Sequence, residues 1–65
     1  MRLEVNGAVQ DITATTLSEA LTELGWDAAR VATALNGTFV SRDTRATTVL
    51  KEGDRLEVLA PMQGG

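Results

Sequence analysis

The last three residues, Gln63, Gly64 and Gly65, form the stretch of this chain whose residue types point to covalent chemistry. Glycine has no Cβ, so two consecutive glycines can pass through a channel too narrow for other residues. A terminal carboxylate has a reference pKa of about 3.3 to 3.7, so at neutral pH it is an anionic oxygen nucleophile. Its attack on the α-phosphate of ATP would produce an acyl-adenylate on Gly65 without consuming a side chain.

A frayed chain end is the competing interpretation of the same three residues. Chain ends are often small, polar and poorly ordered. With glycine at about 7% of residues, a terminal pair arises by chance in about one chain in two hundred. The motif alone leaves both interpretations open, and the rest of the chain has to decide between them.

The composition excludes most chemistry by side chains. The 65 residues contain no cysteine, histidine or tyrosine, which removes disulfides, thiolate metal sites and thiol nucleophiles. An enzyme usually needs a group that titrates near neutrality or an activated nucleophile. The acidic residues are also too scattered to form a metal cage. We therefore expect a chain that is not an enzyme and binds neither a metal nor a cofactor.

Charge and hydropathy exclude two classes of partner. The net charge is −3, from nine acidic and six basic residues, whereas a phosphate-backbone partner calls for a clustered basic face. No apolar run approaches the roughly 18 residues of a membrane span. We expect a cytoplasmic protein that binds neither nucleic acid nor membrane.

The first half of the chain predicts a hairpin followed by a helix. Residues 1–5 alternate as in a half-buried strand, and Asn6-Gly7 is a strong hairpin signal. In the returning segment Val9 and Ile12 have opposite parity, which predicts a bulge or an early strand end.

Residues 16–19 then match a capping box, so a helix is expected to begin at Leu17. Its apolar stripe consists of Leu17, Ala20, Leu21 and Leu24.

Gly25 is placed to end this helix in a Schellman motif, with Trp26 folding back on Leu21. Trp26 has two interpretations. Aromatic residues dominate interface hot spots, but a lone large aromatic in so small a chain is more often part of the core.

The second half of the chain predicts three more strands. Residues 31–36 and 38–40 flank a second Asn-Gly turn at Asn36-Gly37. Residues 41–46 are a polar connection with room for one helical turn, and residues 51–54 form a turn by composition. In the last strand, residues 55–60, Leu56, Val58 and Ala60 share one face, so Leu59 should point outward.

These elements assemble most economically into an α+β fold of the β-grasp, or ubiquitin-like, type. The first and last strands would lie parallel in the middle of a mixed sheet of about four to five strands, with one helix packed across one face. Residues 1–60 are expected to form this domain and residues 61–65 a flexible C-terminal tail.

The chain resembles the sulfur carrier proteins of thiamine biosynthesis over its full length. The residues that carry the resemblance are Val5-Asn6-Gly7, Leu35-Asn36-Gly37, Phe39-Val40, Arg42, Glu52-Gly53-Asp54-Arg55 and Gln63-Gly64-Gly65. The molybdopterin synthase small subunit shares the Gly-Asp and the terminal Gly-Gly. Two features depart from the pattern: Ser41 stands where proline is frequent, and Pro61-Met62 stiffens a tail expected to be extended.

The resemblance implies that Gly65 is the site of activation. In that family an E1-like adenylating enzyme uses ATP and magnesium to adenylate the terminal glycine, and a sulfur donor then converts it to a thiocarboxylate. Thiazole synthase takes the sulfur. Carried over to this chain, Gly65 holds the adenylate and then the sulfur, while Gly64 and Gln63 thread the partner's channel.

Docking to such partners requires an exposed surface beside the tail. Leu59 and Met62 are the candidate apolar residues, and Arg42 and Arg55 are candidates for steering the partner. Single exposed leucines and solvated arginines are also common on protein surfaces without any function. Three alternatives stay open: a carrier like the molybdopterin synthase small subunit, a ubiquitin-like protein modifier, and a plain binding module with a frayed end.

Overall fold

The computed structural model describes residues 1–60, which form one five-stranded mixed sheet with an α-helix on one face. The strand order is β2-β1-β5-β3-β4. The two central strands, β1 and β5, are parallel, and the other neighbours are antiparallel. This is the predicted β-grasp arrangement. The elements are β1 Arg2–Val5, β2 Ala8–Asp11, α1 Leu17–Leu24, β3 Ala32–Leu35, β4 Thr38–Val40 and β5 Arg55–Leu59, with 3-10 helices at Ala28–Arg30 and Arg42–Thr47.

Two Asn-Gly turns set the register of the two hairpins. Asn6 and Gly7 have φ values of 50° and 86°, and Asn36 and Gly37 have φ values of 51° and 83°. Positive φ at both central residues matches the twist of the flanking strands and is tolerated best by asparagine and glycine. The turns place Val5 opposite Ala8 and Leu35 opposite Thr38. Both hairpin predictions are therefore confirmed.

The second strand ends early, as its sequence parity predicts. β2 stops at Asp11, and all four of its residues are exposed. Val9 points to solvent with 68% of its surface exposed, whereas Ile12, beyond the strand, is buried with 2% exposed. Ending the ladder before Ile12 lets this side chain turn into the core, which no regular strand containing both residues would allow.

The helix begins and ends where its capping signals predict. The Glu19 amide donates to the Thr16 hydroxyl and the Thr16 amide donates to the Glu19 carboxylate, both at 3.2 Å, which completes the capping box. At the other end Gly25 has a φ of 84°, and the Trp26 amide donates to the Leu21 carbonyl at 2.9 Å, as in a Schellman motif. Trp26 is half-buried and packs against the core. Within residues 1–60 no helix is long and apolar enough to cross a membrane.

The core lies between α1 and the face of the sheet that α1 covers, which we call the inner face. Four strand residues and three helix residues meet there, and three residues of the connecting segments close its sides. These are Leu3, Val5, Leu56 and Val58 from the strands, Leu17, Ala20 and Leu21 from the helix, and Ile12, Ala14 and Leu50 from the connections. The opposite, outer face of the sheet is not covered by any element of residues 1–60.

The central strand β5 is held at both edges by the side-chain amides of the turn asparagines. The Asn6 amide accepts from the Val58 N–H at 2.8 Å and donates to the Val58 carbonyl at 3.2 Å. The Asn36 amide accepts from the Arg55 N–H at 2.9 Å and donates to the Asp54 carboxylate at 3.0 Å. Each amide therefore extends the ladder where its own strand has already turned away. The backbone of β5 stays paired almost to the point where the chain leaves the sheet.

We predict that the substitution Asn6→Asp lowers the free energy of unfolding by about 1–3 kcal/mol. Aspartate keeps the shape of asparagine and tolerates positive φ. It loses the N–H that donates to the Val58 carbonyl, however, and places a charged oxygen there instead. Urea unfolding at neutral pH measures the difference. The control is Gln10→Glu, which adds the same charge at an exposed position of β2. An equal loss in both variants would show that charge, and not the lost donor, is responsible.

Two carboxylates of the helix hold the loop that precedes it. The Thr13 and Ala14 amides and the Thr13 hydroxyl donate to Glu23, while the Thr15 amide and hydroxyl donate to Glu19. These bonds favour the ionised form of each carboxylate. The pKa of Glu23 is lowered mainly by the Thr13 amide, and the pKa of Glu19 mainly by the Thr15 hydroxyl. The ionised carboxylates therefore fasten the loop to the helix.

We predict that stability falls in acid because of these two carboxylates. A carboxylate whose pKa is lowered in the folded state adds stability at pH values above its unfolded-state pKa, for which 4.5 is the reference. This contribution is lost as pH falls through the folded-state pKa. Urea unfolding between neutral pH and pH of about 3 should show the decline. The Glu23→Gln variant should show a shallower decline, and Glu57→Gln, at an exposed position of β5, an unchanged one. A Glu23→Gln profile parallel to that of the wild type would contradict this.

Candidate functional site

The tail predicted to carry the chemistry begins at the end of the central strand. β5 ends at Leu59, and the exposed Ala60 follows it. Met62, Gln63, Gly64 and Gly65 lie outside the described residues, so their assigned roles stay predictions. Five residues follow Ala60, and a fully extended chain of that length spans at most about 17 Å. Any enzyme that acts on Gly65 must therefore contact the domain close to Ala60.

Leu59 points away from the core, as the alternation of its strand predicts. It is 70% exposed, while its neighbours Leu56 and Val58 are buried. It lies on the outer face, where it is paired with Ala32 of β3. Ala60, expected to share the buried face, is exposed instead because the strand has already ended. An apolar side chain therefore stands in solvent immediately before the tail.

Phe39 extends this apolar surface, and the sequence analysis did not single it out as an interface residue. It is also 70% exposed and lies opposite Ala34 on the neighbouring strand. Together Ala32, Ala34, Phe39 and Leu59 form what we call the outer patch. They line a cleft of about 120 Å³ with Thr33 and Glu57. The signal for Phe39 was present: once Asn36-Gly37 sets the register and Leu35 faces inward, Phe39 must face outward.

An open groove of about 380 Å³ lies beside Leu59 and Ala60, where the described part of the chain ends, and we call it the tail-root groove. One wall is the segment from Ala29 to Ala32, which contains the end of the first 3-10 helix. The other wall is Leu59 with Ala60. Leu59 and Ala32 line both this groove and the cleft of the outer patch, so the two surfaces are continuous around the end of β5.

The two arginines proposed to steer a partner have different positions. Arg42 is exposed, but its guanidinium donates to the Ala29 carbonyl at 3.1 Å, so it fastens a wall of the tail-root groove. Arg55 is exposed at the opposite end of β5 from Ala60, next to Glu4 of β1. The structure therefore brings Arg42 to the neighbourhood of Leu59 and leaves Arg55 a strand's length away from it.

The acidic residues do not gather into a metal site in the described part of the chain. Within residues 1–60 no three of them converge on a point that could hold a metal ion. Several instead serve the fold: Glu19 and Glu23 hold the loop before α1, and the Asp54 carboxylate accepts from both Asn36 and the Lys51 amide.

A family model matches nearly the whole chain. The matching model describes the ThiS family, and it covers residues 3–65, which include the terminal Gln63-Gly64-Gly65. One curated relative is a protein of Paramagnetospirillum magneticum named thiazole synthase, 36% identical over 66 residues. The match covers 100% of this chain and 20% of that relative. The chain therefore spans about a fifth of the length of the curated relative.

Solved structures match the fold. The crystal structure of the thiamine biosynthesis protein ThiS from Geobacter metallireducens superposes with a TM-score of 0.84 at 33% identity, covering 100% of both chains. The solution structure of a thiamine biosynthesis protein from the same organism gives a TM-score of 0.81 and covers 88% of that chain. At this identity and coverage the match extends to the complete β-grasp domain.

Proposed function

The chain belongs to the ThiS family, and from that premise we propose that it is a sulfur carrier for thiamine biosynthesis, with the sulfur held on the carboxyl group of Gly65. The observation that carries the proposal is the family match, because it extends through the terminal Gly-Gly as well as the folded domain. In this role the chain is a co-substrate of its partner enzymes and performs no catalysis itself.

The proposed reaction has two steps on the carrier. An E1-like adenylating enzyme binds ATP and magnesium, the Gly65 carboxylate oxygen attacks the α-phosphate, and pyrophosphate leaves. A sulfur donor, with hydrosulfide as the simplest case, then attacks the acyl carbon. AMP leaves, a proton is released and a thiocarboxylate remains. Dependence on ATP is consistent with a cytoplasmic location.

Thiazole synthase is the proposed acceptor of the sulfur. Support comes from the relative of that name, in which a region like this chain is part of a longer protein. It also comes from the similarity to the thiamine biosynthesis protein of Geobacter metallireducens. A thiocarboxylate suits the task because its sulfur is a softer and stronger nucleophile than a carboxylate oxygen.

The outer patch is the proposed docking surface. A partner that receives Gly65 has to sit close to Ala60, and the patch begins at the preceding residue. Two of its side chains, Leu59 and Phe39, are each 70% exposed. Aromatic side chains at the centre of a desolvated patch commonly provide much of the binding energy at interfaces. Covering this patch would bury apolar surface that the fold leaves in water.

We predict that the chain gains sulfur in place of one oxygen when it is incubated with the adenylating enzyme, ATP, magnesium and sulfide. Intact-mass spectrometry measures the change, and fragmentation should place it at Gly65. The control is a variant that lacks Gly65, which should keep its circular dichroism and melting temperature but show no mass gain.

Each other outcome would count against the carrier role. Attachment of the chain to lysines of other proteins would indicate a protein modifier. An unchanged mass, with an adenylating enzyme proven active on another carrier, would indicate a binding module. If the variant lacking Gly65 supported thiazole formation, Gly65 could not be the residue that carries the sulfur.

We predict that Leu59→Arg and Phe39→Arg each raise the KM of the adenylating enzyme for the carrier by about tenfold, because a charged side chain cannot be desolvated in the docked patch. The kcat should change little, since these residues lie outside the reacting group. Pyrophosphate release at varied carrier concentration measures both constants.

The matched control for these variants is Val9→Arg. Val9 is 68% exposed and also lies on the outer face, but it is in the edge strand β2, away from the tail. The Val9→Arg variant introduces the same charge at a position whose exposure is nearly equal to that of Leu59 and Phe39. A KM increase as large as that of Leu59→Arg would show that docking is not localised at the outer patch.

A further inference from the structure

Arg45 is a buried cation to which the proposed function assigns no role. It lies in the second 3-10 helix and is only 4% exposed. Its Nε donates to the Thr33 hydroxyl at 3.1 Å, one terminal nitrogen donates to the Ala28 carbonyl at 2.8 Å, and the other donates to the Val31 carbonyl at 2.7 Å. Within residues 1–60 no carboxylate oxygen lies within 4 Å of this guanidinium. All its described acceptors are neutral.

Stability alone does not account for a charge in this position. Removing an ion from water is costly, and replacing buried ionic groups with well-packed apolar residues is often neutral or stabilising. Filling the space beside Thr33 would need only an apolar side chain. The features specific to arginine here are the directed hydrogen bonds to two backbone carbonyls.

The Val31 carbonyl lies in the groove wall of residues 29–32, and the Ala28 carbonyl lies one residue before that wall. Ala28 and Val31 bracket the first 3-10 helix, and a planar guanidinium can reach both ends of that turn with separate nitrogens. A lysine ammonium, with its donors on one atom, cannot span them in the same way. Arg42 adds a bond to the Ala29 carbonyl. Three of the four carbonyls in residues 28–31 are therefore held by arginines of the second 3-10 helix.

The hydrogen bond from Arg45 to Thr33 connects the guanidinium to the sheet. The Thr33 hydroxyl that accepts from Arg45 donates in turn to the Val40 carbonyl at 2.8 Å. Thr33 lies opposite Val58 of the central strand. The guanidinium therefore ties the groove wall to the same sheet that carries Leu59, Phe39 and Ala60, so a network of hydrogen bonds links both walls of the groove.

We propose that Arg45 is a positioning residue for docking: it fixes the segment of residues 28–31, which supplies most of the wall at residues 29–32, so that the tail-root groove is preformed for the adenylating enzyme. The inference rests on the proposed function. The groove lies within the region that a partner must cover, because Ala60 lines it and at most about 17 Å of extended chain separates Ala60 from the activated group. A preformed wall lowers the ordering cost of binding.

The test is the variant Arg45→Lys, which keeps the charge and loses the planar fork. We expect the KM for the carrier in the adenylation reaction to rise by about tenfold with kcat nearly unchanged, as expected for a loss of uniform binding. In amide NMR spectra of the free protein, the shifts should concentrate in residues 28–32 and 59–60. Thr33→Val, which removes the Nε acceptor at a side chain that is only 2% exposed, should act in the same direction with a smaller factor.

The matched control is Ile12→Val, a core variant beside the opposite edge strand β2, with all proteins assayed at a temperature where unfolding measurements show them folded. If Ile12→Val raised the KM as much as Arg45→Lys, or if Arg45→Lys left the KM unchanged, the positioning role would be wrong. If Arg45→Lys does not fold, Thr33→Val alone decides the question. A wild-type chain that is not adenylated would overturn the proposed function, whereas an active wild type with an unaffected Arg45→Lys variant overturns only this inference.

Discussion

The parallel pairing of β1 with β5 is the constraint on which the rest of the structure depends. It places the last strand in the middle of the sheet, where both of its edges are hydrogen-bonded. The side chains of Asn6 and Asn36 extend that pairing past the ends of the neighbouring strands. The inner side chains of β5, Leu56 and Val58, are buried under the helix. The chain therefore leaves the domain from its most firmly held element, and a partner that grips the domain also fixes the starting point of the tail.

The elements predicted correctly from the sequence are those whose signals are local. These signals are two Asn-Gly turns, a capping box and a glycine after the helix. Each satisfies backbone groups within a few residues, so it can be predicted without knowing the fold. The strand order followed from one further requirement, that the helix and the apolar strand faces bury each other. The early end of β2 was also predictable from the sequence, because Val9 and Ile12 cannot share one face of a regular strand.

The features that sequence analysis missed depend on contacts between distant segments. Arg45 lies in a polar connection without periodicity, and nothing local indicates that its guanidinium reaches Ala28 and Val31. The hydrogen bonds from the loop before α1 to Glu23 cross ten residues. Phe39 is an intermediate case, because its outward orientation follows from hairpin register but only after the inner face of β3 is known. The residues of the groove and patch near Ala60 were therefore less predictable than the scaffold that presents them.

The parallel pairing of the two central strands also places Met1 and Ala60 at opposite ends of the sheet. β1 and β5 run the same way, with Glu4 beside Arg55, so β1 begins at the end of the sheet opposite the one at which β5 reaches Ala60. A domain or affinity label joined ahead of Met1 would lie at that far end and leave the surroundings of Ala60 unobstructed. The longer relative from Paramagnetospirillum magneticum, in which such a region is part of a larger polypeptide, makes this geometry relevant to how domains of this family are joined to others.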